Sequence, residues 1–245
     1  MRFDVVTLFP EMITAAASYG VTGRAIERKI VSLSVWNPRD YSHDKHRTVD
    51  DRPYGGGPGM VMKYQPLHES VKSAKRAGNG TAKVVYLSPQ GKPITQALLT
   101  EACDVSQLIM VAGRYEGVDE RFVEMDCDDE WSIGDYVISG GELAALIVID
   151  AVTRLLPGVL GDEDSARQDS HMNNLLDYPH FTRPEQLEGY SVPDVLLSGN
   201  HADIDRWRMK QALGRTWQRR PDLLINKKLR AEQEYLLQQF KSEVE

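Results

Sequence analysis

Three short β-forming runs, each ending in a glycine-containing loop, constrain this chain more than any other feature. Lys83-Val84-Val85-Tyr86-Leu87 runs into Ser88-Pro89-Gln90-Gly91, and Leu108-Ile109-Met110-Val111-Ala112 into Gly113-Arg114-Tyr115-Glu116-Gly117. The third segment is Ser132-Ile133-Gly134-Asp135-Tyr136-Val137-Ile138-Ser139-Gly140-Gly141-Glu142. It turns on one glycine, passes through β-formers, turns on two more and opens the apolar run Leu143 to Leu156. Glycine lets backbone approach a ligand closely. Ligands of open α/β sheets sit beyond the carboxyl ends of strands, where such loops gather. A pocket walled by main chain and short apolar side chains suits an adenine-bearing ligand better than a charged one. Each segment alone also fits an ordinary strand–turn–helix junction; together, within about 60 residues, they read as one composite site.

Alternation continues on either side. Phe3 to Leu8 and Val31 to Trp36 read as strands. Helical patterns cover Met12 to Ser18, Gly23 to Lys29, Pro66 to Ala77, Ile94 to Val105 and Val118 to Met125. This order predicts an α/β fold with a mostly parallel sheet over residues 1–160. Gly158 to His171 is polar, carries Asp162, Glu163, Asp164 and Asp169, and has no apolar period, so residues 161–175 read as a mobile linker. Helical stretches at Asp203 to Leu213, Pro221 to Leu223 and Ala231 to Lys241 make residues 176–245 a small helical C-terminal domain.

Charge is unevenly spread. Arg206 to Arg230 holds nine basic residues and one acidic, Asp222, so 25 residues carry +8 while the chain totals −7. Such asymmetry points to a local anionic partner, although a solvated helical face has the same composition. Cys103 and Cys127 have neither metal-ligand spacing nor a disulfide framework and read as buried or neutral thiols. Asp4 and Pro10 interrupt any signal-peptide run, and Leu143 to Ile149 is too short to span a bilayer, so no membrane is expected and the cytoplasm is the default. The cluster Asp126, Asp128, Asp129, Glu130 lacks the glycine and distal glutamate of a calcium loop and reads as a solvated acidic surface. The glycine run Gly55 to Gly59 has no Lys-Ser/Thr after it, which argues against a nucleotide P-loop.

The three glycine segments, together with Leu8-Phe9-Pro10-Glu11-Met12, Asp50-Asp51-Arg52-Pro53-Tyr54-Gly55-Gly56-Gly57-Pro58-Gly59-Met60 and Leu197-Ser198-Gly199-Asn200-His201, closely resemble the bacterial tRNA (guanine-N1)-methyltransferases. The resemblance runs from Phe3 to about Leu223. It implies the SPOUT class, whose cofactor loops form a deep trefoil knot that periodicity could not reveal. It implies S-adenosylmethionine as cofactor, held by Tyr86, Leu87, Ser88, Pro89, Gly113, Tyr115, Glu116, Ser132, Ile133, Gly134, Asp135, Tyr136, Val137, Ile138, Gly140 and Gly141. It leaves magnesium open, with no ligands to name. The implied substrate is tRNA with a G 3′ of the anticodon, at position 37, and the implied assembly is an obligate homodimer.

Methylating guanine N1 requires removing its proton and stabilising charge that builds towards O6. A carboxylate does the first and a guanidinium the second. The family's general base falls on Asp169 and its arginine on Arg154. Without the resemblance, Asp169 reads as a solvated linker acid and Arg154 as a helix-end complement to the dipole. Candidate tRNA-binding residues are His46, Asp50, Arg52, Gly55, Gly57 and Gly59, where a flexible loop can lie against an extruded base, and Arg215, Arg219 and Arg220 for phosphates. Trp207 and Trp217 offer stacking faces, Trp207 being of a kind more often found in a core. One departure is Ala144, where relatives commonly have proline after Glu142-Leu143. The runners-up are a same-fold methyltransferase acting on another RNA base and an RNA-binding protein without catalysis.

Overall fold

In the computed structural model, which describes residues 1–161, 169–225 and 227–244, the chain divides into two compact units, Met1–Gly161 and Asp162–Glu245. Residues 162–168 of the expected linker, with Asp162, Glu163 and Asp164, lie outside the described residues.

The first unit is built on a five-stranded sheet in the order β2-β1-β6-β5-β7, parallel throughout. Its strands are β1 (Arg2–Val6), β2 (Ser32–Trp36), β5 (Ala82–Pro93), β6 (Gln107–Ala112) and β7 (Asp129–Ser132). A two-residue antiparallel ladder, β3 (Asp50–Asp51) with β4 (Val61–Met62), stands apart from it. Side chains alternate across a strand, and here the alternation sorts two cores. Val5, Met110 and Val85 are in register and face α1 (Pro10–Ala17), α2 (Gly20–Glu27), α4 (Gln96–Ala102) and α6 (Glu142–Leu155). One residue on, Val6, Val111 and Tyr86 face α3 (Tyr64–Ala77) and α5 (Glu120–Asp126). Burial on both faces is why these strands read as continuous apolar runs.

The helices bury apolar stripes at helical spacing: Leu67, Val71 and Ala74 on α3, and Ala145, Val148, Ile149 and Val152 on α6. Each fully buried aliphatic side chain contributes about 1.5–3 kcal/mol. Asp4 lies wholly buried in β1, satisfied by Arg2, by Trp36 Nε1 at 2.7 Å and by Gln107 Nε2 at 2.8 Å.

Two expectations are corrected here. The strand expected to end at Leu87 continues to Pro93, its pairing with β7 resuming at Lys92 after a register shift over the Ser88–Gly91 loop. The acidic cluster is not simply solvated surface. Asp129 and Glu130 begin the edge strand β7, and Asp129 is paired with Lys92 at 2.5 Å and Lys83 at 3.2 Å.

In the second unit, α8 (His201–Arg219) packs on α10 (Ala231–Val244) through Leu213 and Leu236. Leu175, within the expected linker, is buried in the same cluster, so the unit's core begins before residue 176. Shorter pieces are the β8 (Gln186–Leu187) and β9 (Tyr190–Ser191) hairpin, α7 (Asp194–Leu197) and α9 (Asp222–Ile225). Helix α8 outruns the expected Leu213 end because Gly214 is no stop signal: any Cβ there would overlap the Phe240 ring of α10.

Candidate functional site

A cavity of about 220 Å³ opens at the carboxyl edge of the sheet, beyond β5, β6 and β7. Its wall includes Tyr86, Leu87, Ser88, Pro89, Gly113, Tyr115, Glu116, Ser132, Ile133, Gly134, Tyr136, Val137, Ile138, Gly140 and Gly141 from the expected cofactor set. Asp135, exposed beyond the Gly134 turn, is not part of it. Gln90, Arg114, Gly117, Trp131, Ser139 and Ala144 line it as well. Of these Arg114 matters most, and a side chain whose partners lie far away in sequence leaves no local pattern to find it by.

The glycines leave no spare room. A Cβ at Gly113 would come within 2.8 Å of the Tyr86 ring and one at Gly141 within 2.7 Å of Ala112 Cα, while one at Gly140 would overlap Arg114 Nε. Gly134 and Gly117 turn at φ 143° and 121°, and Tyr115, just before Gly117, sits at φ 61°, a conformation costly for a side-chain-bearing residue. Tyr86 is held neutral. Burial first, then the nearby Glu130 carboxylate, pushes its phenol up to about 12.

One buried polar network ties the loops together. Glu142, the first residue of α6 and wholly buried, accepts from Thr7 Oγ1 at 2.8 Å and from Arg114 Nε at 2.9 Å, with Arg114 Nη2 also 2.9 Å away in the ion pair. Arg114 also donates to the Ser139 carbonyl at 3.1 Å and lies 4.5 Å from the centre of the Phe9 ring. The loops after β1 and β6 and the turn before α6 are thus fastened to one carboxylate. Gly141 N–H donates to Gly113 O at 3.0 Å, closing the same junction through main chain.

The glycine-rich loop meets this wall. Glu116 N–H donates to Met60 O, and Met62 N–H to Gly117 O, both at 2.9 Å. A Cβ at Gly59 would overlap the Glu116 carboxylate. Gly55, Gly56, Gly57 and Gly59 all have positive φ, and the first three have open space around them. Asp50 lies in β3, with Arg52 and His46 exposed nearby in sequence. Arg154 is half-buried in the last turn of α6.

In the second unit, Asp169 lines a separate cavity of about 460 Å³ with Arg208, Lys227 and Arg230. Arg215 is half-buried, and Arg219 and Arg220 are exposed. Arg220 is paired with Asp222 at 2.7 Å, whereas Arg215 and Arg219 form no ion pair among the described residues. Lys241 lies 5.0 Å from the Trp217 ring centre, and half-buried Trp207 faces Phe181. Among the described residues no three His, Cys, Asp or Glu side chains converge to hold a metal ion, and no helix is long and apolar enough to cross a membrane.

Sheet and cavity define an α/β protein with a cavity among glycine loops at the carboxyl edge of a parallel sheet, where ligands of such sheets sit. The chain belongs to the tRNA (guanine-1)-methyltransferase family, whose model, described as tRNA (Guanine-1)-methyltransferase TrmD, matches residues 1–226. Three relatives each carry the name tRNA (guanine-N(1)-)-methyltransferase. That of Methylococcus capsulatus is 62% identical over 245 residues, covering 100% of this chain and 98% of its own length. That of Tolumonas auensis is 60% identical over 244 residues, with 100% and 98% covered. That of Escherichia coli is 58% identical over 243 residues, with 99% and 95% covered. The resemblance read from the motifs is borne out across the chain.

Proposed function

We propose that the protein transfers a methyl group from S-adenosylmethionine to N1 of guanosine 37 of tRNA, immediately 3′ of the anticodon. The observation that carries this reading is the cavity whose wall takes in all three glycine loops. Its residues fit such a cofactor. Leu87, Pro89, Ile133, Val137 and Ile138 supply apolar walls for an adenine ring, and Gly113, Gly140 and Gly141 bare main chain where a side chain would collide. Glu116 offers a carboxylate to the cofactor's amine. Family membership supports the substrate, and the relatives' names specify guanine N1.

Bound there, S-adenosylmethionine supplies a methyl already activated by its sulfonium. The chain's own residues must then make a poor nucleophile competent. Asp169 accepts the N1 proton, and Arg154 presents its permanent charge to O6 as negative charge develops there. A positioned base contributes about 10²- to 10⁴-fold. His46, Asp50, Arg52 and the open glycines Gly55, Gly57 and Gly59 meet the anticodon loop, and Arg215, Arg219 and Arg220 meet phosphates. These roles, the trefoil knot, the homodimer and a cytoplasmic setting follow from the family resemblance.

The test is methyl transfer from labelled S-adenosylmethionine to unmodified tRNA transcripts carrying G or A 3′ of the anticodon, with and without magnesium. Label only in the G transcript, lost in Asp169→Ala while cofactor binding persists, is the expected result. Equal labelling of the A transcript moves the target elsewhere, and binding of both without labelling makes the protein a non-catalytic RNA binder.

A further inference from the structure

The second unit holds a cavity that none of these roles uses. It measures about 590 Å³ and is walled by the rings of Tyr178, His180, Phe181 and Trp207 together with Arg183 and Arg208. Tyr178 and His180 have ring centroids 4.7 Å apart, and Phe181 and Trp207 are 6.3 Å apart and tilted by 53°. Phe181 remains 47% exposed, an apolar face left bare beside two arginines. The Arg208 guanidinium lies 5.0 Å from the Tyr178 ring centre. Its Nε, shut off from solvent, has no hydrogen-bond partner among the described residues. The same guanidinium is held by Asp205, whose Oδ1 lies 3.5 Å from Arg208 Nη1.

An exposed aromatic face with guanidinium groups beside it, as at Phe181, is the recognition set for an unstacked nucleobase and its phosphate. The Arg206 to Arg230 stretch, which carries +8, contributes Trp207 and Arg208 to this wall, where Glu185 is the one carboxylate among the lining residues. The cavity also shares Tyr178 and Arg208 with the cavity that Asp169 lines, so the two are neighbours across one wall.

We propose that this aromatic cavity stacks an unpaired nucleobase of the RNA substrate, adjacent to the guanosine that Asp169 serves. The proposal rests on the function argued above. Phe181 is the exposed platform, Trp207 backs it, and Arg208 and Arg183 receive the phosphate.

The experiment uses the full-length protein and a tRNA assembled from synthetic pieces, with 2-aminopurine immediately 5′ or 3′ of the target guanosine. Wild type should quench the fluorophore at one of the two positions. Phe181→Ala should abolish the quench and weaken tRNA binding by roughly 5- to 100-fold, the range for one lost stacked base. Phe181→Trp should restore both, with S-adenosylmethionine binding unchanged throughout. Should Phe181→Ala fail to fold, Phe181→Leu keeps the bulk without the ring and must show the same loss. Unchanged affinity and quench in the variant overturn the stacking site. So does a change in oligomeric state with tRNA affinity intact, which would assign the ring to a second copy of the chain. Wild type that neither binds nor methylates tRNA sinks the underlying function, and this is visible before any variant is made.

Discussion

Glu142 has 0% exposure and serves two partners far apart in the sequence, Thr7 and Arg114. Removing one member of a buried ion pair leaves the other uncompensated, at about 3–5 kcal/mol. Glu142→Ala should therefore lose about that much stability in urea unfolding and release the loops that wall the cavity, lowering cofactor affinity as well. Unchanged cofactor binding in a folded variant would show that the network does not shape the cavity. Tyr86 and Cys127 govern a second response. Burial, with Glu130 following for Tyr86 and Asp126 for Cys127, pushes both up to about 12. The unfolded chain titrates them lower, near 10 and 9. Stability is then whole below pH 9 and drains away as the pH rises towards 12. The Tyr86 share is about 2–3 kcal/mol from the size of its shift. Tyr86→Phe should flatten this alkaline loss relative to wild type, read by unfolding at pH 8 and pH 11.

At the scale of elements, α6 begins at Glu142, which puts Ala144 in its first turn, where amides have no partner inside the helix. Proline is tolerated in that turn and restricts the unfolded chain. Ala144→Pro should shift stability by no more than about 1 kcal/mol in either direction. A larger loss, measured by thermal unfolding, would mean that the buried side of the turn cannot admit the ring. The same helix shows what local sequence conveys. Its apolar period and the glycines before it are visible in the chain, as are β5 and β6, because strands buried on both faces must be apolar throughout. β7 is not visible. An edge strand pairs on one side only, so Asp129 can reach Lys83 and Lys92, and the sequence looks like an acidic loop. The β3–β4 and β8–β9 ladders are two residues per strand, shorter than any period. The loops that wall the cavity are legible from glycine. The Arg114–Glu142 fastening is not, because partners 28 residues apart leave no local signature.

Taken whole, the molecule is acidic at −7 yet confines nine basic residues to Arg206–Arg230, so its nucleic-acid affinity should be local and salt-sensitive. Replacing Arg219 and Arg220 by glutamine should reduce the slope of log affinity against log salt by about one for each phosphate no longer neutralised. An unchanged slope would remove these arginines from the interface, whatever happens to the affinity itself. The open loop of the first unit has a consequence of another kind. Tyr54 is fully exposed and followed by three glycines with empty space around them, an inviting site for chymotrypsin. A cut there separates β1 and β2 from the rest, yet β1 lies in register between β2 and β6. The peptide ending at Tyr54 would carry a strand that the larger fragment cannot replace. The two pieces should therefore copurify after nicking and come apart only in denaturant, which makes this loop a natural seam for a split, self-complementing version of the protein.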